Sequence, residues 1–356
     1  MVFALSFAAS LMAVDKQLAG QAQTAAAAAG PRDWQPRPIP MGVSIGNTPS
    51  LPYIYAGTAG LLVHSFSNPS LKFILSNNHV LGAKGPNLCP NTATVGTWSL
   101  QPGTLDIGND PGNDPYYVAG VVAGFLPLTS GYNIIDAALS FTTTSLASST
   151  ILGIGQPGAS LGFPSPGQAV IKSGRTTGVT NGTVDSVNVT VTVNYGSSCG
   201  TYTFLGQIMI TPGTFSAGGD SGSAILDAAT RSPVGLLFAG SSTYTVANTM
   251  YWVYRIFRVT HDAPGAAIAS TEDLDRAHEL WTRTADPRIA HLKEVQGRHE
   301  RDLLSRPGVH AVGIGKHENG RDFVLKVYGR GAAGLPPQVE GVPVRMVDSG
   351  GPFTAR

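Results

Sequence analysis

Three short segments hold residues whose types could do chemistry together, and they follow one another in a fixed order. Phe73–Leu81 (FILSNNHVL) is an apolar run that ends in small polar residues and presents His79. Asn133–Ser140 (NIIDAALS) sets Asp136 between apolar flanks. Ser216–Ile225 (SAGGDSGSAI) places Ser221 in a glycine-rich turn that leads into a strand. A serine hydroxyl is a weak nucleophile until a base takes its proton, and imidazole can do so near neutral pH. The imidazole in turn needs a buried carboxylate to hold one tautomer and to stabilise the cation that forms. Asp136 suits that role, being the only acid from Pro115 through Val184, in a stretch where an unpaired charge would be costly. Gly218 and Gly219 can take backbone angles closed to other residues and aim successive N–H groups at one point. The amides of Gly219 and Ser221 are therefore candidate donors to an oxyanion.

The order His, Asp, Ser, with GDSGS around Ser221, DAAL around Asp136 and SNNHVL around His79, resembles the chymotrypsin-like serine peptidases. KSGRTTGVTNGTV (172–184), GGDSGS and PVGLLFAGSS (233–242) look like the narrow-leaf-type trypsin-like peptidases of plants and their bacterial relatives. The likeness covers about Tyr55 to Val259, and Ser223 departs from the motif where a second glycine is usual. It implies a chymotrypsin-like double β-barrel and a serine endopeptidase acting on polypeptides through an acyl-enzyme. The roles it implies are His79, Asp136 and Ser221 as the triad, Gly219 and Ser221 as the oxyanion hole, and Asp220 as a structural residue under the nucleophile loop. The strand Gly235–Gly240 would flank the primary pocket and pair with substrate backbone, with Phe215, Phe238 and Gly240 at the pocket. No activation-site sequence is found, so the oxyanion hole is expected to be preformed. TPGTFSAGG, before Asp220, contains no acid to offset a buried substrate cation, so small or apolar residues are expected there rather than Lys or Arg. The alternative is a catalytically silent, peptidase-like binding scaffold.

Composition fits a mainly β body. The chain of 356 residues has 44 Gly and 25 Pro but only 13% charged residues, a mixture suited to short strands and tight turns. Expected strands are Gly60–Phe66, Lys72–Ser76, Val118–Phe125, Ala137–Phe141, Thr183–Tyr195, Gln207–Thr211, Ser223–Leu226 and Val234–Ala239. The net charge of +1 gives no electrostatic case for nucleic acid, and no stretch is apolar enough to span a bilayer. No cofactor or metal is called for: two cysteines are too few for an ordinary zinc site, and the HE pairs at His278 and His299 lack a second histidine at metal-binding spacing.

Charge density divides the chain. Eight charged residues lie between Met41 and Thr180, against fourteen in the much shorter stretch from Glu272 to Asp302. Four segments are expected: an N-terminal helix or signal-like segment (1–30), the peptidase-like domain (31–262), a charged helical linker (263–304) and a small, separable α/β module (305–356). Ser270 or Thr271 is a plausible cap for the helical stretch, and Asn319–Gly320 a hairpin turn. The DSGG string at Asp348–Gly351 reads as an incidental turn, His64 as a surface residue, and Lys172 and Arg175 as members of a solvated turn in preference to residues lining the site. Cys89 and Cys199 are either buried free thiols or one disulfide. Their loop-like settings favour the disulfide, hence an oxidising compartment, with a secreted or cell-envelope location favoured over a cytoplasmic one.

Overall fold

The computed structural model describes residues 29–48, 54–83, 85, 89–107, 117–266, 268–332 and 334–356. The expected N-terminal segment lies, except for its last two residues, outside that set.

β-Branched runs separated by Gly, Asn and Pro turns produce two curled sheets. In the first, the order is Val259–His261, Leu61–Ser65, Lys72–Ser76, Ala138–Thr142, Val118–Phe125, Trp98–Leu100, Ser44–Asn47 and Gly57–Thr58. Gly57–Thr58 and Leu61–Ser65 are the two arms of one bent segment. Between them Ala59 N donates to Val43 O (2.9 Å) and Gly60 N to Leu75 O (2.8 Å), so the sheet returns on itself. The bend needs glycine: a Cβ on Gly60 would lie 2.1 Å from Gly222 O, in the turn that carries Ser221.

The second sheet contains a closed ring. Gly178–Asn194, Ala169–Gly174, Ala224–Asp227, Pro233–Gly240, Thr245–Thr249 and Thr201–Thr211 pair in that order, and Thr201–Thr211 pairs back with Gly178–Asn194. The fold is thus mainly β, two curled sheets resembling a chymotrypsin-like double β-barrel. A buried ion pair clamps the halves together: Arg175 on the second donates through Nε and Nη2 to both Asp106 oxygens on the first, each at 2.5 Å. Lys172 and Arg175 are both buried, so the solvated turn expected of them is corrected. Their cationic heads are held by Asp220 and Asp106 instead of water. His64 is likewise largely buried, its Nδ1 on Asp262, which also binds Lys72.

Two helices follow, Thr271–Thr284 and Pro287–Leu304, separate because Pro287 cannot continue the first and starts the second. Ser270 caps the first, accepting from Asp273 N at 3.1 Å. Beyond them Val309–Lys316 and Phe323–Gly329 form the hairpin around Asn319–Gly320. Val309–Lys316 also pairs antiparallel with Gly178–Asn194, and Val342–Asp348 and Gln338–Val339 join the same sheet beyond the hairpin. Leu292, Val295, Val312, Ile314 and Leu325 share one apolar cluster with Val184, Val187 and Ile208. The change in charge density near Asp262 is therefore not a boundary in the packing: residues 305–356 extend the sheet.

A chain ending at Asp262 would uncover Val187 and Val189, both buried. Each such side chain is worth about 1.5–3 kcal/mol, so the shortened chain is expected to precipitate or to melt roughly 10 °C lower. A soluble product with an unchanged melting temperature would establish a separable module.

Candidate active site

Each candidate residue stands at the end of an element that fixes it. The strand Lys72–Ser76 runs into a single helical turn, Asn78–Leu81, which carries His79. Gly82 closes that turn with its N–H on Asn78 O, 2.6 Å away. Asp136 lies just before the strand Ala138–Thr142, the neighbour of Lys72–Ser76 in the sheet. Asn77 Nδ2 donates to Asp136 O (2.6 Å), and Asp136 N donates to Asn248 Oδ1 (3.1 Å).

The Asp136 side chain is wholly buried, and that of His79 is 12% exposed. The carboxylate Oδ2 lies 2.5 Å from His79 Nδ1, and its Oδ1 accepts the His79 main-chain N–H at 3.2 Å. This pairing fixes the ring and leaves Nε2 as the free edge a general base would use. Among the described residues the partner of Nε2 is Arg356 O at 3.3 Å, and it makes no hydrogen bond to Ser221.

A third donor reaches the same carboxylate. Tyr195, just beyond the strand Gly178–Asn194, donates its hydroxyl to Asp136 Oδ2 at 2.7 Å, and its ring meets His79 edge-on at 5.6 Å. Burial and the neighbouring Asp136 charge hold the Tyr195 pKa well above its ordinary value, so the hydroxyl remains a proton donor. Sequence reasoning missed this residue, because nothing local to NYGSSC points across the cleft to Asp136. Tyr195→Phe is expected to lower kcat about tenfold with little change in KM, the cost of one hydrogen bond to a buried charge. Unaltered kcat in a folded variant would make Tyr195 a packing residue only.

Ser221 is held from three sides. Its carbonyl accepts from Thr58 N (2.7 Å), Gly222 N donates to Leu237 O (2.9 Å), and its Oγ donates to Phe238 O (3.3 Å). Gly57 brings the first barrel against it: a Cβ there would lie 2.5 Å from Val80, next to His79, and 2.9 Å from Ser221 O. Gly219 has the left-handed φ (+95°) expected of it, whereas Gly218 does not take a positive φ and Gly222 (φ +94°), which the sequence reading did not name, does. Among the described residues, the main-chain N–H groups of Gly219 and Ser221 have no acceptor within the chain.

Asp220 lies under this turn and accepts from Thr176 N (2.8 Å), Thr177 N (3.1 Å), Thr177 Oγ1 (2.7 Å) and Ala217 N (2.9 Å). Lys172 Nζ is 3.6 Å from it, both side chains being fully buried. Burial pushes the Lys172 pKa down, and the Asp220 carboxylate works against that. The charge balancing Asp220 therefore comes from within the folded chain.

The three residues expected at the pocket are distributed differently. The Phe215 ring belongs to the apolar cluster of Val184, Ile208 and Ile210. The Phe238 ring packs on Phe204, with centroids 4.7 Å apart. The notion that either ring narrows the pocket is revised: both are core side chains, and Phe238 faces the cleft with its carbonyl. Gly240 alone of the three borders a space outside the core, and the Arg356 side chain lies in it. Cys89 and Cys199 are joined in a disulfide, which ties the loop following His79 to the turn following Tyr195.

No family model and no curated protein matches the chain. Among solved structures it is similar to a glutamic acid-specific serine protease that uses a histidine triad in substrate binding (23% identity, TM-score 0.43). That match covers 63% of this chain and all of the other. Nocardiopsis protease (16% identity, TM-score 0.43) and Thermobifida fusca protease A (18%, 0.41) each match over 63% of this chain and 98% of their own. The narrow-leaf-type likeness has no counterpart among these three.

Proposed function

We propose that the protein is a serine endopeptidase with His79, Asp136 and Ser221 as its triad. The observation that carries the reading is the buried Asp136 carboxylate, 2.5 Å from Nδ1 of His79, whose Nε2 meets Arg356 O at 3.3 Å while Arg356 N and Ser221 Oγ share Phe238 O as acceptor. A carboxylate in that setting serves to orient and stabilise an imidazolium.

His79 Nε2 takes the proton of the Ser221 hydroxyl as Oγ attacks the substrate carbonyl carbon. The oxygen, now negative, is received by the Gly219 and Ser221 N–H groups, which have no acceptor of their own among the described residues. His79 then delivers its proton to the departing amine, leaving an acyl group on Ser221. A water molecule, deprotonated by His79, releases the acid in the second half of the cycle. Asp220 and Lys172 keep the turn in shape throughout, so no chain cleavage is required to form the oxyanion donors.

The test is labelling by a fluorophosphonate, which phosphonylates only an activated serine. Label on wild-type protein that disappears in Ser221→Ala supports the reading. A folded protein that takes no label with its cleft unobstructed sinks it.

A further inference from the structure

The cleft beside Ser221 is not open: Ser221 is 0% exposed. What covers it is residues 353–356 of the same chain. Phe353–Ala355 pairs antiparallel with Pro233–Gly240, with Ala355 opposite Ala239 and Thr354 opposite Gly240. On its other side it runs parallel to the end of Gly178–Asn194, with Phe353 opposite Val193. Arg356 N donates to Phe238 O at 3.1 Å, the carbonyl that Ser221 Oγ also uses. Arg356 O lies 3.3 Å from His79 Nε2. One residue thus touches the histidine and shares an acceptor with the serine.

The Arg356 side chain turns into the space next to Gly240. Its Nη1 donates to Ser216 O and its Nη2 to Ser241 O, the segments on either side providing the carbonyls. A Cβ on Gly240 would stand 2.2 Å from Arg356 Nε, so a side chain at 240 would push this guanidinium from its present place. Burial pushes the Arg356 pKa down and the field of Asp220 opposes that. The absence of acid before Asp220 argued against a cationic side chain here, but main-chain carbonyls supply the acceptors that a carboxylate would.

The approach of the segment is also built in. The Asp348–Gly351 string, read in the sequence as incidental, buries Ser349, whose Oγ donates to Gly351 O at 2.8 Å. Ser242 Oγ donates to Gly350 O (2.9 Å), and a Cβ on Gly350 would meet that same Oγ at 2.1 Å. The turn thereby rests on the loop after Gly240, and Phe353, fully buried in the cluster of Phe204 and Phe238, anchors residues 354–356.

We propose that residues 353–356 are an intramolecular inhibitor occupying the acyl half of the cleft, and that the pocket holding Arg356 accepts arginine side chains of substrates. This rests on the peptidase reading above. Strand addition supplies main-chain hydrogen bonds and the alternate side chain supplies the pocket contact, the pattern of a bound extended peptide. The Arg356 carbonyl faces His79 and does not reach the Gly219 and Ser221 amides, so the occupant sits where it blocks attack. Being tethered, it competes with substrate at an effective concentration on the order of millimolar.

The experiment compares the full chain, a chain ending at Pro352, and full-length Arg356→Glu. Each is checked for melting temperature, fluorophosphonate labelling rate, and kcat/KM on peptides differing only in Arg or Ala before the scissile bond. The expected result is labelling at least about tenfold faster in both variants than in the full chain. The peptide Phe-Thr-Ala-Arg should slow the shortened chain again, and Arg substrates should exceed Ala substrates at least about tenfold in it. If the shortened chain fails to fold, Arg356→Glu gives the same reading at full length. Equal labelling of all three chains would overturn the inhibitor while leaving the peptidase standing. Faster labelling without preference for Arg would overturn the pocket assignment. Folded variants that take no label would overturn both readings.

Discussion

Ser221→Ala and His79→Ala are each expected to reduce turnover of a peptide substrate about a millionfold, the loss found when either partner of such a unit is removed. The two effects should not add, because without the base the hydroxyl is not a nucleophile and without the hydroxyl the base has nothing to activate. Neither change should lower the melting temperature by more than a few degrees. Ser221 loses one hydroxyl whose acceptor, Phe238 O, also takes the Arg356 N–H. His79 removal leaves Asp136 with the Tyr195 hydroxyl and a main-chain N–H. Activity should be measured in the full chain and in the chain ending at Pro352, so that an occupied cleft is not mistaken for a missing nucleophile. Wild-type hydrolysis by Ser221→Ala in the shortened chain would refute the triad.

Lys172→Met is expected to destabilise the protein by roughly 3–5 kcal/mol, the cost of leaving one member of a buried ion pair without the other. Met fills most of the lysine volume, so the loss reports charge and hydrogen bonds more than packing. Lys172 Nζ also donates to Thr177 Oγ1 and to Gly178 O (2.9 Å), and Thr177 in turn donates to Asp220. Removing the ammonium loosens Thr177 and Asp220 together, and with them the turn that aims Gly219 and Ser221. Denaturant unfolding should show the lowered stability, and kcat on a small substrate should fall as well. A variant as stable and active as wild type would mean that the four hydrogen bonds to Asp220 hold it unaided.

The candidate triad was legible in the sequence because each member lies in a short local signal: an apolar strand ending in NNH, an acid alone among apolar residues, a serine among glycines. Strands such as Lys72–Ser76 and Val118–Phe125 were found at their observed bounds for the same reason. Ser44–Asn47 and Trp98–Leu100 were not, because they are short and largely buried, with no alternation to read. Thr201–Thr211 was recognised only from Gln207, since Gly206, at φ +72°, interrupts its pattern in the middle. The pairing of Lys172 with Asp220, of Tyr195 with Asp136 and of residues 353–356 with the cleft could not be read from sequence at all. The partners lie 48, 59 and over 110 positions away, or for Arg356 and His79 277 positions away. The closed ring of strands and its packing against the first sheet bring them together.

The disulfide between Cys89 and Cys199, 110 positions apart, has a consequence for survival among other proteases. A single nick anywhere from residue 90 to residue 198 leaves the two fragments covalently attached. His79 is then on the fragment before the nick and Ser221 on the one after it, but the bridge keeps them in one molecule. The loss of covalent continuity would be visible only after a reductant separates the pieces on a gel.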